Sequence, residues 1–302
     1  MYNYPKNILT IEQQIKAYKD AGMIISSESD VASALRNIGY YRLRGYCYHL
    51  YDNSIKKYVG GTRFSDIISL YTFDRKLSNL LFDMLCRIEV SLRAKIVDSL
   101  IIHNDALILN DPKVFSDKKN YWQNNIKVSS EISRSDDVFI KHNLDNHDGA
   151  IPLWATVEIL SYGTLSKIIK NLKTGAGTAF DSFADKFKYK TLDGRDIKPS
   201  HNMLTSWIHS TTILRNICAH NSRIYNRTIS TTPQLIRQDT ISPMPRHNGL
   251  YQIILAMKYL RPTDNDWNEF NSKLQQLINE YNASIDLSRL NFPSDWRNHL
   301  LV

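Results

Sequence analysis

"FSDIISLYTFDRKLSNLLFDMLCRIEVSLRAKIVDSL", residues 64–100, sets the class of the fold. Phe64, Ile67, Ile68, Tyr71, Leu77, Leu81, Met84, Leu85, Ile88, Leu92 and Ile96 recur at steps of three and four. That is the period of a helix with one buried face. The pattern predicts a long amphipathic helix, bent once or not at all. Glu89 and Arg93 stand four residues apart and are expected to pair on its surface.

Working outward, the preceding residues read as shorter helices. In "LTIEQQIKAYKDAG" Thr10 and Gln13 have capping-box spacing, and Gly22 is a natural stop. "SSESDVASALRNIGYYRL" offers a second capped helix ending near Gly39. The aromatic, basic run "GYYRLRGYCYHLY" suits either a helix or a strand or hairpin arm. Beyond the long helix, residues 103–150 are polar, with "SRSDD" and "DNHDG" as loop signals, and are expected to form a weakly ordered excursion. "IPLWATVEIL" restarts the helical pattern with Pro152 in its first turn, and "SYGTLSKIIKNL" continues after Gly163 with Thr164 as cap. Trp154 and Trp207 read as core residues. "KTGAGTAF" and "LDGRDIKP" are loops. "MLTSWIHSTTILRNICAHNSRIYN", "GLYQIILAMKYL" and "DWNEFNSKLQQLINEYNASI" supply the last helices. The expected fold is an all-α bundle. Residues 1–60 form a small N-terminal lobe and 61–302 the main helical domain, unless both belong to one continuous module.

Composition agrees with a folded, helical protein. The 302 residues are 42% hydrophobic and 23% charged, enough for a sizeable core. Eleven Gly and nine Pro are few for this length, which favours helices over a turn-rich β fold. A net charge of +8 suits a polyanionic partner such as nucleic acid, and serves solubility equally well. Cys47, Cys86 and Cys218 are too few and scattered for a disulfide framework or a zinc site, and point to a reducing interior. No apolar run reaches membrane-spanning length, and "MYNYPKNILT" lacks the apolar core of a signal peptide, so a cytoplasmic protein is expected. There is no P-loop, and no C-x2-C, H-E-x2-H or H-x-H spacing suggests a metal. No cofactor is expected.

The chemistry concentrates in "LRNICAHNSRIYNR", residues 214–227. At about 100° per residue, Trp207, Leu214, Cys218 and Tyr225 project together as a buried face. His209, Thr212, Asn216, His220, Arg223 and Arg227 fall within about 40° of the opposite direction, with Arg215 on the flank. A phosphodiester laid on that face would meet an imidazole suited to proton transfer and guanidinium forks suited to phosphate oxygens. In RNA the 2′-hydroxyl is an internal nucleophile, so no metal is required. A solvated polar face explains the same residues, and R-x4-H arises by chance, as Arg44 and His49 in "RGYCYH" show. Glu158 is a carboxylate on an apolar stretch, either solvated or orienting Arg215 or His220.

"RNICAHNSRIYNR" resembles the signature of the Abi-like abortive-infection family of the AbiD/AbiF type, within the HEPN ribonuclease superfamily, whose motif is R-x4-6-H. Arg215, Asn216 and His220 match it in place. "LTIEQQI", "LRNIGYYRLRGY", "YTFDRKLSNLLFDMLCRIEVSLRAKI", "PLWATVEILSYGTLSKIIKNL" and "NFPSDW" resemble further blocks of the family in order. Residues 103–150 carry no such resemblance. The family's tyrosine-rich N-terminal block does not hold the catalytic pair, which makes Arg44 and His49 a coincidental match.

The resemblance implies a HEPN-type helical bundle and a metal-independent endoribonuclease of phage defence or toxin–antitoxin systems. The products would be a 2′,3′-cyclic phosphate and a 5′-hydroxyl. It also implies a homodimer with two motifs side by side, and structured noncoding RNA as a partner. Arg215, Asn216 and His220 would be catalytic. From their position, Arg223 and Arg227 would contact phosphates, and Arg42 and Arg44 with neighbouring tyrosines would form a further RNA surface. The alternative is a non-catalytic protein that binds a regulatory RNA through the same basic helix.

Overall fold

Thr10 opens the structure as read from sequence. Its side chain accepts from the Gln13 amide while the Gln13 side chain accepts from the Thr10 amide, a complete capping box on α1 (Ile11–Asp20). The computed structural model describes residues 8–240, 242–244 and 249–302. The first seven residues, most of the segment read above as lacking a leader, lie outside the described residues. Ser27 caps α2 (Glu28–Asn37), which ends before Gly39 at φ +91°. The aromatic, basic run is helical, α3 (Tyr40–Cys47), and turns Leu43, Tyr46 and Cys47 inward. A minimal hairpin, β1 (Tyr51–Asp52) with β2 (Lys57–Tyr58), leads into α4 (Phe64–Leu100).

The long helix has the predicted bounds. Leu77, Leu81, Leu85, Ile88, Leu92 and Ile96 are fully buried along it. Glu89 and Arg93 do pair, at 2.7 Å, but inside the protein, with side chains 6% and 13% exposed. The surface pair expected from their spacing is therefore corrected. Glu89 follows Leu85 by four residues and so sits on the apolar stripe.

Residues 103–150 are ordered, contrary to expectation. They hold α5 (Lys118–Ser133) and α6 (Val138–Asn146). The sequence hid this because α5 is fastened through polar groups. The Asp117 side chain accepts from the Asn120 amide at its start. Buried Glu131 near its end accepts from the Ser161 amide and hydroxyl at 2.9 and 2.8 Å and from the Thr164 hydroxyl at 2.9 Å. Those donors begin the second of the next two helices, α7 (Leu153–Ile159) and α8 (Tyr162–Asn171). Pro152 stands just before α7. The cap of α8 is Ser161 rather than Thr164, and Gly163 lies within the helix. Trp154 is 56% exposed and is not a core residue. Thr178 caps α9 (Ala179–Asp185) within the stretch read as loop, and β3 (Tyr189–Lys190) with β4 (Asp196–Ile197) brackets "LDGR".

Ser200 caps α10 (His201–Ala219), followed by α11 (Leu250–Leu260), α12 (Asp264–Glu280) and the short α13 (Trp296–His299). The architecture is an all-α bundle. α4 touches α3, α7, α8, α9, α10, α11 and α12, and α10 lies between α4, α8 and α11. One contiguous apolar core runs from Ile15 to Leu300. Trp207 is fully buried, with its indole N–H donating to the Gln234 carbonyl at 2.6 Å. Among the described residues no helix is long and apolar enough to cross a membrane.

One buried carboxylate ties three separate segments together. Asp74 on α4 accepts from the Tyr46 hydroxyl of α3 at 2.6 Å, the Ile224 amide at 3.1 Å and the Tyr225 amide at 2.6 Å. Burial pushes its pKa up, opposed by these donors and by Arg75. Asp74→Ala would strand three buried donors at about 1–3 kcal/mol each, so a stability loss of about 3 kcal/mol or more is expected in urea denaturation. Asp74→Asn, which retains an acceptor oxygen, should lose clearly less.

Candidate catalytic turn and basic groove

The end of α10 is decided by Asn221. This residue adopts φ +52°, the left-handed conformation that Asn tolerates better than other side-chain-bearing residues. The Asn221 amide donates to the Cys218 carbonyl and the Ser222 amide to the Ile217 carbonyl, both at 3.0 Å, which closes a Schellman turn. The helix therefore stops at Ala219 with His220 as its cap. The polar stripe drawn on a continuous helix is corrected here: Arg223 and Arg227 lie beyond the helix. Thr212 is also buried, its hydroxyl donating to the Ile208 carbonyl.

Asn216 and His220 keep helical spacing, since the His220 amide donates to the Asn216 carbonyl at 3.0 Å. Both are exposed. Arg215 lies one position before Asn216, with its side chain 32% exposed. Its Nε stands 3.2 Å from Glu89, and its guanidinium lies 5.8 Å from the Phe82 ring centre. The same Glu89 carboxylate holds Arg93, which also donates to the Val157 and Leu160 carbonyls at the end of α7. One buried acid thus positions two guanidiniums, and the orienting carboxylate for Arg215 is Glu89. Glu158, the candidate named from sequence, is exposed and has no described bond to Arg215 or His220.

Beside this turn, the four arginines assigned to RNA contact converge although they come from segments about 180 residues apart. Arg42, Arg44, Arg223 and Arg227 line one groove of about 690 Å³ with Tyr41 and Tyr48. Tyr41 and Tyr48 are 92% and 71% exposed. Spacing places Tyr41, Gly45 and Tyr48 on one face of α3 and its following turn. Gly45 admits the Arg223 side chain, since a Cβ there would stand 3.3 Å from its Nε. Arg42 Nη1 donates to the carbonyl of Asn221, immediately after His220, at 2.6 Å. Arg223 Nη1 donates to the Tyr225 and Asn226 carbonyls at 2.5 and 3.0 Å, so this residue is a fixed wall of the groove. Arg227 is exposed at its rim. The guanidiniums cover carbonyls that would otherwise repel an anion at the helix C-terminus.

Arg44 and His49 are separated in role. Arg44 lies over the Tyr51 ring at 5.6 Å, while His49 packs on Tyr225 with ring centres 5.7 Å apart. Glu89 is what the reading of residue types misplaced, whereas exposed tyrosines beside Arg42 and Arg44 were among its expectations. For Glu89 the signal was present in its position on the apolar stripe. Among the described residues no group of three or more His, Cys, Asp or Glu is placed to hold a metal ion.

The model of the Abi-like protein family matches residues 33–226, a span that includes α3, α4, α10 and the turn after it. No curated protein and no solved structure matches the chain significantly.

Removing the shared acid should separate Glu89 from Glu158. Glu89→Ala would leave two largely buried guanidiniums without their anion, and should cost about 3–5 kcal/mol in urea denaturation. Glu158→Ala, at an exposed site, should change stability by no more than about 0.5 kcal/mol.

Proposed function

The chain belongs to the Abi-like protein family, a family tied to abortive infection, and on that premise we propose that it is a metal-independent endoribonuclease of phage defence. The observation that carries this reading is the joining of the basic, tyrosine-bearing groove to the His220 turn through the Arg42–Asn221 bond. An RNA strand held in the groove by Arg42, Arg44 and Arg227, with bases against Tyr41 and Tyr48, would pass the exposed imidazole.

The reaction is an internal transesterification of the HEPN type. A base takes the proton of the 2′-hydroxyl, and the 2′ oxygen attacks the adjacent phosphorus. An acid protonates the 5′ oxygen as the P–O5′ bond breaks. The products are a 2′,3′-cyclic phosphate and a 5′-hydroxyl. His220 moves the proton, and Asn216, one turn earlier, contributes amide hydrogen bonds. Arg215, aimed by Glu89, stabilises charge on the phosphorane.

Two proton transfers call for two groups, whereas each chain supplies one motif histidine. His209 lies eleven residues earlier on α10, about 16 Å along the axis and too far for the same phosphate. A homodimer with its two-fold axis beside the Asn216–His220 turn places two motifs on one strand. The groove also favours a second reading, a non-catalytic protein that holds a structured regulatory RNA, since arginines and exposed tyrosines bind RNA without an imidazole.

Cleavage of end-labelled RNA in EDTA distinguishes the two. Wild type should cut, and His220→Ala should abolish cutting while retaining fold and RNA affinity. Arg215→Ala should cut at least about 10²-fold more slowly. Unchanged cleavage by folded His220→Ala protein would sink the catalytic assignment, and binding by wild type without any cleavage would favour the second reading.

The shared site has its own test. Adding excess His220→Ala chains to wild type should lower activity well below that of the wild-type chains alone, because a dimer that contains one such chain lacks the second proton-transfer group. A fully active protein that sediments as a monomer would refute the dimer and leave the nuclease standing.

A further inference from the structure

A second basic groove, of about 640 Å³, runs between α5 and α8, away from the catalytic turn. Its walls carry Asn120, Gln123, Asn124 and Lys127 from α5, and Lys167 and Lys170 from α8. Some lysines elsewhere on the surface meet carboxylates, such as Lys141 with Asp136 and Lys198 with Asp181 and Asp185. Lys127, Lys167 and Lys170 form no ion pair among the described residues. The two acids nearest in the sequence of α5 are already engaged. Asp117, on the groove wall, caps the helix by accepting from the Asn120 amide at 2.7 Å. Glu131 is buried and bound to Ser161 and Thr164.

That same Glu131 anchor holds the lysines against one another. It fastens α5 to the start of α8, one turn beyond Lys127, so that Lys127 and Lys167 line the groove from its two walls. The contact with Lys127, ahead of burial, lowers the Lys167 pKa. Two ammonium groups held together without an anion repel, and an anion placed between them removes the repulsion. His209 on α10 lies within the field of the same lysines: burial, then Lys170 and Lys167, lower its pKa and favour the neutral imidazole. On the outer side of α5, Trp122 is 63% exposed, one turn before the groove-lining Ile126. An exposed aromatic ring just outside the groove suits a base of a strand that leaves it.

We propose that the α5–α8 groove is a second binding site for an RNA sugar–phosphate backbone, engaging the strand at a point remote from cleavage. It rests on the reading that the chain binds RNA, and it assigns an RNA long enough to reach from the His220 turn past His209 to Lys127. Long RNA then gains affinity from two sites, whereas a short oligonucleotide in the catalytic groove does not.

The test compares the full chain, a Lys127→Ala/Lys167→Ala/Lys170→Ala variant and an Arg42→Ala/Arg227→Ala variant. A fluorescein-labelled single-stranded RNA of about 40 nucleotides is titrated over a range of salt concentrations. Losing three phosphate contacts should flatten the plot of log affinity against log salt by about 2, at about 0.7 per contact. Affinity near physiological salt should fall on the order of 10- to 100-fold. The lysines are exposed, so the variant should keep the wild-type melting temperature. If the lysine variant matches wild type in affinity and slope while the arginine variant loses both, the second groove is overturned and the first stands. If wild type itself shows no salt-dependent affinity for RNA, both readings fall.

Discussion

The bond on which the candidate site depends is the one Asp74 makes to residues it never meets in sequence. Its carboxylate gathers a hydroxyl from α3 and two successive amides from the segment after α10. Without it, the backbone leaving His220 would have buried N–H groups facing an apolar core. With it, Ile224 and Tyr225 are drawn inward while Arg223 and Arg227 are left on the groove side. The cost of burying an acid is visible in its raised pKa, and the three donors offset that cost.

Glu89 does for the beginning of the motif what Asp74 does for its end. Arg215 meets Glu89 and Phe82, while Ile224 and Tyr225 meet Asp74, so residue numbers rise on α10 as they fall on α4. The last turns of α10 and its exit run antiparallel along the long helix, held at both ends by acids from that helix. The motif is thereby presented from a rigid element, with Asn216 and His220 outward and their neighbours Ile217 and Cys218 buried.

How much of this could be read beforehand follows from which forces are periodic. The long helix was legible to its ends because its burial is apolar and repeats every three or four residues. So was the capping box of Thr10 and Gln13, which acts over three residues. The stop at Asn221 was missed because Asn in a left-handed conformation looks, in sequence, like one more polar residue. Helix α5 was missed because its capping and docking rely on Asp117 and Glu131, acids that a pattern-based reading assigns to solvent. Glu89 was misplaced for the same reason. The groove was legible only in halves: "GYYRLRGY" and "NSRIYNR" each stood out, but nothing periodic relates residue 42 to residue 223. Their meeting is a tertiary fact made by Asp74 and by the space that Gly45 leaves.

That distance along the chain bears on synthesis. Arg42 leaves the ribosome 179 residues ahead of Asn221 and waits for it before its groove has a second wall. At about 5–20 residues per second the interval is about ten to forty seconds. Closing so long a loop is favourable only once α4 and α10 have packed. A nascent or truncated chain thus lacks both the groove and the ordered His220 turn. The wiring of the fold delays assembly of the site until α10 and the turn after it have been made.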